Sequence, residues 1–597
     1  MVFSGGNYVE GEKRVKEDVE DGRSAHKKEM KPTKAAKSWL QKPCSKFKDC
    51  GLTGYFPLGV FDLPTLQHLD VQGNRALSGY FTEFNGSSRL KDLIVAETNF
   101  QGEVPASIEN LIQLNRLNLS SCFFNGPLPM SVSNLKQLAV LDLGSNYFSG
   151  PRPPLGSLTK LTHLNLQFNS FDRSNLCDWL GTFPNLLYLD LRYNGLNCEI
   201  PSSIGNQTQL REIYLTGNDM VGQIPTSVMN LMHLTVLELG DNKFTGHLPS
   251  LESLLNLTYL SLSSNNFNRW KLPDWLGKLN KITHLELAAV NLYGEIPSSF
   301  FKMTQVGTLD LSSNQLEGQI TSSLLNLRNL EFINLYGNNI SGTVDVHLFL
   351  SLKKLKHLYL GGNRITLSAI NNHTNNPPPN FIVLSLESCN LRVFPEFLRF
   401  QHQLLELHLD NNKIDGLVPE WMWNISKKTL SVLSLTQNRL KGFEQHSPVA
   451  PWGRLPSSFE NCTSLEILDL GNNHMEDMFP FTLGALAQLQ VLILKSNKFY
   501  GAVRFSSKSN YNFPKLRIID LSYNSFSGDL PQQYFQEWLA MKEIQTTGEY
   551  MQREISITQE YNNERASDWG DFWEPPNDKI LQVVSRKILV SLGGLMN

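Results

Sequence analysis

Carboxylates recur along this chain in one sequence context, between two leucine-type residues. Six copies of the pattern hold an aspartate at this point: Asp70, Asp142, Asp190, Asp310, Asp469 and Asp520. Two carboxylates on one face of a protein can divide acid and base roles when their surroundings separate their pKa values. The recurring L-D-L context instead indicates a repeat consensus. We therefore predict no catalytic role for these aspartates.

Other catalytic patterns are missing from the sequence. It contains no G-x-x-x-x-G-K-[ST] phosphate-binding loop, no H-E-x-x-H and no C-x-x-C. Asp571 and Phe572 are followed by Trp573, so they do not form the D-F-G triplet of a kinase. We predict a protein that is not an enzyme, has no cofactor and holds no metal.

Composition excludes further classes of protein. Apolar residues make up 41% of the chain, which argues against disorder over most of it. The net charge is only -3, so we expect no partner nucleic acid. The sequence has no run of 18 apolar residues and no opening signal pattern, so we expect neither a membrane-spanning helix nor a secretory signal within it.

A repeat of 23 to 26 residues runs through the body of the chain and fits L-x-x-L-x-L-x-x-N-x-L-x-G-x-[ILV]-P. The second L of this pattern, which we call the anchor, occurs 19 times. The anchors are Leu69, Leu93, Leu117, Leu141, Leu164, Leu189, Ile213, Leu237, Leu260, Leu285, Leu309, Ile333, Leu358, Leu384, Leu407, Leu433, Leu468, Leu492 and Ile519. The position five residues after the anchor, the slot, holds Asn in 15 of the 19 copies. The exceptions are Thr98, Cys122, Val290 and Cys389.

This pattern predicts a solenoid. The L-x-L core has the period of two that is typical of a strand. One turn of about 24 residues cannot bury its own apolar face, so neighbouring turns must stack. We expect the slot Asn to bond backbone groups of its own and the next turn. We also expect the later Gly to permit a tight bend.

The repeat resembles the plant-specific leucine-rich repeat, which is marked by a G-x-[IV]-P tail such as Gly222-Gln223-Ile224-Pro225. The resemblance covers residues 50–531. It implies an α/β fold, a right-handed superhelical horseshoe with a parallel concave sheet. Residues 55–61, 479–491 and 513–535 resemble plant receptor-like proteins of the disease-resistance type more closely.

That resemblance implies a plant immune receptor at the extracellular face of the plasma membrane. It would sense a pathogen-derived or cell-wall protein or peptide on its concave face. Its partners would be this ligand and membrane receptor kinases that act as co-receptors. Two alternatives stay open: a secreted binder of the polygalacturonase-inhibitor type, and a developmental receptor-like protein.

Three segments are predicted. Residues 1–48, of which 19 are charged, form a disordered leader. Residues 49–531 form the solenoid, which is irregular at 443–460, where Leu433 and the next anchor Leu468 are 35 residues apart. Residues 532–597 resemble the start of the non-repeat island of the family and form a poorly ordered, truncated tail.

Ligand residues are expected on the concave strip, because the leucines are committed to packing. Some repeats carry large polar or aromatic side chains beside the anchor, and such groups are typical binding anchors. The predicted ligand-binding residues are Tyr188, Arg192, Glu212, Tyr214, Tyr259, His284, Glu286, Phe332, Tyr336, His357, Tyr359, Glu406 and His408.

Glycosylation and cysteine chemistry complete the predictions. Sequons mark seven predicted glycosylation sites, although their number is close to chance: Asn85, Asn206, Asn256, Asn339, Asn372, Asn424 and Asn461. Four cysteines in or near the repeat register are expected to be structural thiols: Cys50, Cys122, Cys198 and Cys389.

Overall fold

A computed structural model describes residues 44–528, apart from 62, 64, 85–87, 152–154, 172–179, 369–377, 445–461 and 504–512. The described chain divides into two compact units, one ending at Asn268 and the other beginning at Arg269. The predicted tail, nearly all of the predicted leader and most of the irregular segment lie outside the described residues. Each unit is built from the predicted repeat.

The first unit contains a parallel main sheet of short strands, and most of them are centred on a predicted anchor. They are Cys44–Lys46, His68–Asp70, Asp92–Ile94, Arg116–Asn118, Val140–Asp142, His163–Asn165, Tyr188–Asp190, Glu212–Tyr214, Val236–Glu238 and Tyr259–Ser261. The first of them has no predicted anchor and lies five residues before the predicted start of the solenoid at residue 49.

The second unit contains a main sheet of the same kind, again parallel and in register from anchor to anchor. Its strands are His284–Glu286, Thr308–Asp310, Phe332–Asn334, His357–Tyr359, Val383–Ser385, Glu406–His408, Val432–Ser434, Ile467–Asp469, Val491–Ile493 and Ile518–Asp520. Each strand has three residues, as the L-x-L core predicts, because the chain turns away at the slot.

A second set of short strands follows the slot, and these strands pair with their neighbours in parallel. In the first unit they form one sheet: Thr53–Tyr55, Ala76–Gly79, Asn99–Gly102, Phe123–Pro127, Tyr147–Gly150 and Ser170–Phe171. In the second unit they form four pairs: Tyr293–Glu295 with Gln315–Glu317, Ser341–Asp345 with Arg364–Ser368, Asp415–Val418 with Arg439–Phe443, and Tyr500–Gly501 with Ser525–Phe526.

Short helical turns return the chain to the next strand, and most begin directly after the proline of the repeat. Pro105, for example, has φ of -70° and ψ of 151° at the start of one. Its ring sets this φ, and no backbone donor is lost. The 3-10 turns are Leu58–Val60, Ala106–Asn110, Met130–Asn134, Leu155–Ser157, Ser202–Asn206, Thr226–Asn230, Asp274–Lys278, Ser298–Lys302, Ser322–Asn326, Glu396–Phe400, Glu420–Asn424 and Phe481–Ala485, and His347–Leu350 is α-helical.

Stacked side chains fill the core between successive repeats. The anchors Leu117, Leu141 and Leu164 are fully buried. Phe124 and Phe148 stack with their ring centroids 6.2 Å apart and an interplanar angle of 7°. Phe148 stacks on Phe171 in the same way, with ring centroids 6.1 Å apart and an interplanar angle of 4°. Neighbouring repeats thus bury their apolar faces against each other.

The slot asparagines satisfy the backbone at the bend. Nδ2 of Asn242 donates to the carbonyl oxygens of Leu239, at 3.2 Å, and of Leu215, at 2.9 Å. Its Oδ1 accepts from the Met220 N–H at 3.0 Å. The predicted bonding to the same turn is confirmed, but the second turn is the preceding one and not the next, because the amide points back toward Leu215 and Met220.

Three of the four predicted structural cysteines are free thiols, and one is not. Cys122 and Cys389 are buried free thiols in the slot, as predicted, and Cys50 is a free thiol that is exposed. Cys198, in contrast, is disulfide-bonded, so the prediction of a free thiol there is wrong. Its place at the turn Gly of the repeat leaves the side chain outside the leucine core, where it can reach a partner.

Candidate ligand-binding site

The outward face of each main sheet is formed by the residues that flank the buried anchors. In the first unit this face holds the half-buried predicted residues Tyr188, Arg192, Glu212, Tyr214 and Tyr259. The register places Tyr188 beside Glu212, and Asp190 beside Tyr214. The first four predicted residues therefore form one cluster, while Tyr259 lies two strands beyond Glu212.

Arg192 lies at the centre of this cluster. Its Nη2 is 2.8 Å from Oδ2 of Asp190 and 2.9 Å from Oε1 of Gln167. Its Nη1 is 3.8 Å from Oε2 of Glu238, and its guanidinium carbon lies 4.8 Å from the ring centroid of Tyr214. Burial would lower the pKa of Arg192, but Asp190 and Glu238 raise it well above its ordinary value. Arg192 is thus held by neighbouring side chains of the same face, and its predicted role in ligand binding stays a prediction.

Two tyrosines flank this cation and present ring surface on the same face. The Tyr188 hydroxyl donates to Oδ2 of Asp190 at 3.2 Å, and the Tyr214 hydroxyl donates to Oε2 of Glu212 at 2.8 Å. Their ring centroids are 5.4 Å apart. Burial raises the pKa of both hydroxyls, so they remain neutral donors and hold the rings in place.

Buried carboxylates at this site were missed as site residues. Asp190 is 0% exposed, and Asp142 is also buried. Burial raises the pKa of Asp142 from 3.8 to about 7, and burial likewise raises the pKa of Glu238. The sequence assigned the aspartates to the repeat consensus. The signal available was their neighbourhood, since Arg192 follows Asp190 by two residues and so shares its face.

The second unit carries an aromatic patch made of Phe332, His357 and Tyr359. The Phe332 ring centroid lies 5.8 Å from that of His357 and 5.7 Å from that of Tyr359. Phe332 is only 8% exposed and His357 only 5%. Both were expected to be exposed on the strip, and that expectation is wrong, because large neighbours on adjacent strands cover them. Burial, and then the charge of Lys356, lowers the pKa of His357 to about 4, so its ring is neutral at physiological pH.

The other predicted residues of the second unit lie on the same outward face. His284 and Glu286 flank the anchor of its first strand, and Nδ1 of His284 is 2.9 Å from the Thr283 hydroxyl. Tyr336 is half-buried, and its ring lies against Gly361. A larger residue at position 361 would have no room under the Tyr336 ring. The structure therefore does not gather all of the predicted residues into one contact network.

Acidic groups surround an imidazole further along the second unit. Nε2 of His408 lies 3.2 Å from Oε2 of Glu406, and its Nδ1 lies 3.9 Å from Oδ2 of Asp410. Glu387 joins them from the neighbouring repeat. Glu406 is buried, against the expectation of exposure, because His408 and the adjoining strands cover it. Glu387 and Asp410 were not predicted as site residues.

Electrostatics separate these groups from ordinary surface residues. Burial alone would lower the pKa of His408, but the hydrogen bond and charge of Glu406, and then Asp410, raise it. Burial, followed by the charge of Asp410, raises the pKa of Glu387. Burial also raises the pKa of Asp410, although His408 opposes this effect.

The predicted glycosylation sites can be placed in part. Asn206 and Asn424 are exposed, and Asn256 and Asn339 are half-buried. Asn85, Asn372 and Asn461 lie outside the described residues. Within the described ranges, no helix has the length and apolar character needed to cross a membrane.

Comparisons with known proteins agree with this fold. Residues 185–207, 256–279, 403–425 and 515–535 match the family model described as Leucine Rich Repeat. Receptor-like protein 39 of Arabidopsis thaliana is 30% identical over 587 residues, which cover 81% of this chain and 64% of that protein. Receptor-like protein 41 of the same plant is 30% identical over 604 residues, covering 79% of this chain and 62% of that protein. The chain therefore spans slightly less than two thirds of these relatives.

Solved structures give the same relationship. The ectodomain of the Arabidopsis thaliana membrane receptor kinase GASSHO1/SCHENGEN3, in complex with CASPARIAN STRIP INTEGRITY FACTOR 2, matches with a TM-score of 0.59 and 29% identity, over 82% of this chain and 57% of that one. The Arabidopsis receptor kinase HAESA, in complex with the peptide hormone IDA and the co-receptor SERK1, matches with a TM-score of 0.59 and 26% identity. This match covers 83% of this chain and 89% of that one. By its repeats and its parallel main sheets the chain is a leucine-rich-repeat protein, and it is similar to plant receptor-like proteins and receptor ectodomains.

Proposed function

We propose that this chain is the ligand-binding part of a plant immune receptor that is not an enzyme. It binds a pathogen-derived or cell-wall protein or peptide on the outward faces of its main sheets and signals through a partner membrane kinase. The similarity to the HAESA ectodomain, which was solved with a peptide hormone and a co-receptor, supports both kinds of partner.

The proposal rests mainly on the outward placement of half-exposed tyrosines in both units. Tyr188 and Tyr214 lie on the outward face of the first unit, and Tyr336 and Tyr359 lie on that of the second. Tyrosine offers a large, rigid contact area with a polar tip, which is the chemistry of binding anchors. Strands about 4.8 Å apart can present such rings to an extended peptide at regular intervals.

The proposed location is the extracellular face of the plasma membrane. The names of the receptor-like relatives and the ectodomain neighbours support it. Exposed sequons at Asn206 and Asn424 are compatible with glycosylation on the secretory route, and both lie in helical turns outside the main sheets. Glycans there would leave the outward faces open.

The test uses the purified chain to select binders from a displayed library of random peptides. Selected peptides are then titrated against the variant Tyr336→Ser/Tyr359→Ser. We expect affinity to fall at least about tenfold, equivalent to about 1.4 kcal/mol. The rings are half-exposed, so the fold should persist, and circular dichroism checks this.

A matched control removes an aromatic pair that does not lie on a main sheet. Phe123 and Tyr147 are exposed and stack with ring centroids 6.3 Å apart on the second sheet of the first unit. Phe123→Ser/Tyr147→Ser should leave peptide affinity unchanged. If this control abolished binding while the Tyr336/Tyr359 variant retained it, the ligand site would not lie on the outward face.

A further inference from the structure

Four ionisable side chains meet on the outward face of two adjacent strands of the second unit. Glu406 and His408 belong to the strand Glu406–His408, and Asp410 follows it by two residues. Glu387 follows the neighbouring strand Val383–Ser385. One nitrogen and two carboxylate oxygens, from His408, Asp410 and Glu387, all lie within 4.8 Å of one another.

We propose that Glu387, His408 and Asp410 form a binding site for a first-row divalent metal ion, with Zn²⁺ as the best match. Nδ1 of His408 and Oδ2 of Asp410 are 3.9 Å apart, which is too long for a hydrogen bond. A single ion about 2.1 Å from each atom would bridge this gap. A carboxylate oxygen of Glu387 lies within 4.8 Å of the other two ligand atoms and would complete a three-residue site with an open position.

The surrounding groups orient the ligand atoms. Glu406 accepts a hydrogen bond from Nε2 of His408 at 3.2 Å, which leaves Nδ1 to face Asp410. A carboxylate on the second imidazole nitrogen is the usual arrangement around a metal-bound histidine. Oδ1 of Asp410 is held by the Ser434 hydroxyl and by the Thr436 N–H at 3.1 Å, so Oδ2 is left toward the imidazole.

Charge balance favours a cation at this point. Three carboxylates, from Glu387, Glu406 and Asp410, face one imidazole. These like charges repel one another at this separation, and a divalent ion between them would offset the repulsion.

The ligand set also selects among ions. A mixed site of one imidazole and two carboxylates suits Zn²⁺ and other first-row ions. Mg²⁺ and Ca²⁺ prefer oxygen ligands alone and larger coordination numbers. We therefore expect Zn²⁺ to bind more tightly than Mg²⁺ or Ca²⁺ at this site.

Isothermal titration of the full chain with Zn²⁺ tests the proposal, in a Cys50→Ser background that removes an exposed thiol. We expect saturable binding that weakens at least about tenfold in His408→Ala and in Asp410→Asn. Titration with Co²⁺ gives an independent readout, because a nitrogen- and oxygen-ligated Co²⁺ absorbs visible light, and this absorption should disappear in His408→Ala. Glu406→Gln should weaken Zn²⁺ binding less, through loss of imidazole orientation.

Matched controls separate this site from other histidines and acids. His284→Ala and Asp310→Asn change an outward histidine and an outward aspartate on other strands, and Zn²⁺ affinity should not change. If His408→Ala fails to fold, the nearly isosteric variant Glu387→Gln/Asp410→Asn provides the same test. Unchanged Zn²⁺ affinity and an unchanged Co²⁺ spectrum in that variant would overturn the proposal. Because the probe is the metal alone, the result is independent of peptide binding.

Discussion

Asn242 joins two repeats through both ends of one amide group. Its Oδ1 accepts from the Met220 N–H at 3.0 Å, while its Nδ2 donates to the carbonyl oxygen of Leu215 at 2.9 Å. Both partners belong to the preceding repeat. Leu239 and Gly240 of its own repeat accept further bonds from the same nitrogen.

Asn242→Ala should destabilise the first unit by at least about 2 kcal/mol. The substitution leaves one backbone donor and three carbonyl oxygens at the bend without this partner, and each buried group left unpaired costs about 1–3 kcal/mol. Hydrogen–deuterium exchange should accelerate most in the strands Glu212–Tyr214 and Val236–Glu238.

The control for this variant is Asn115→Ala in the same unit. Asn115 is exposed and donates one hydrogen bond, at 3.2 Å, to the carbonyl oxygen of Gln137. We expect a change within about 0.5 kcal/mol, as for ordinary surface positions. Equal destabilisation by both substitutions would contradict the role assigned to the slot amide.

Asp142 should make the stability of the first unit depend on pH. Burial raises its pKa from 3.8 to about 7, so the folded chain binds a proton over a range in which the unfolded chain has lost it. Its contribution to stability therefore falls as the pH rises from about 4 to 7, by up to about 4 kcal/mol, and is constant above that range.

Asp142→Asn removes this dependence and keeps the acceptor for the Gly144 N–H, which lies 3.1 Å from Oδ1 of Asp142. Urea unfolding should show the variant gaining stability relative to the wild type between pH 4 and pH 7. The gain should be small at pH 4 and greatest at pH 7 and above. A gain that decreased toward neutral pH would show that the carboxylate is ionised and stabilising.

Thiol reactivity should distinguish Cys50 from the buried cysteines. Cys50 is exposed, whereas burial raises the pKa of Cys122 to about 11 and that of Cys389 to about 12. The thiolate is the reactive form. Iodoacetamide at pH 8 should label Cys50 in the native chain and should label Cys122 and Cys389 only after unfolding, as mass spectrometry can map. Rapid native labelling of Cys122 would contradict its place in the core.

Phe332 should matter for the stability of the second unit. It is 8% exposed and packs against His357 and Tyr359. Phe332→Ala should destabilise the second unit by about 3 kcal/mol, as expected for a buried aromatic side chain. Urea unfolding measures the change. Asp310→Ala, on the neighbouring strand, is the matched outward control and should have a much smaller effect.

The repeat spacing was enough to predict the main-sheet strands from Leu69 onward, since each anchor lies at the centre of one. It predicted neither the strand Cys44–Lys46 nor the second set of strands after the slot. The face of each residue follows from the alternation along a strand, so Tyr188 and His408 were correctly placed outward. The exposed fraction of each outward side chain could not be predicted from this alternation, because it depends on side chains contributed by adjacent repeats. Phe332 and Glu406 are buried for this reason.

Clusters built across repeats were also hidden from a linear motif search. Glu387 and His408 are 21 residues apart, so no short pattern such as H-E-x-x-H links them. The strand register brings them together. Asp190 was assigned to the consensus although Arg192, two residues later, shares its face. The structure adds Gln167 and Glu238, from neighbouring repeats, as further partners of Arg192.

The pairing of Arg192 with Asp190 has an evolutionary consequence. A solenoid separates core from surface, so single substitutions on its outward face should ordinarily accumulate freely and diversify recognition. Loss of Arg192 alone would leave the fully buried carboxylate of Asp190 without its cationic partner. Breaking a buried ion pair in this way costs about 3–5 kcal/mol of stability. Asp190, Arg192 and Glu238 are therefore expected to be inherited and replaced as a set, which slows adaptation of this patch relative to the rest of the face.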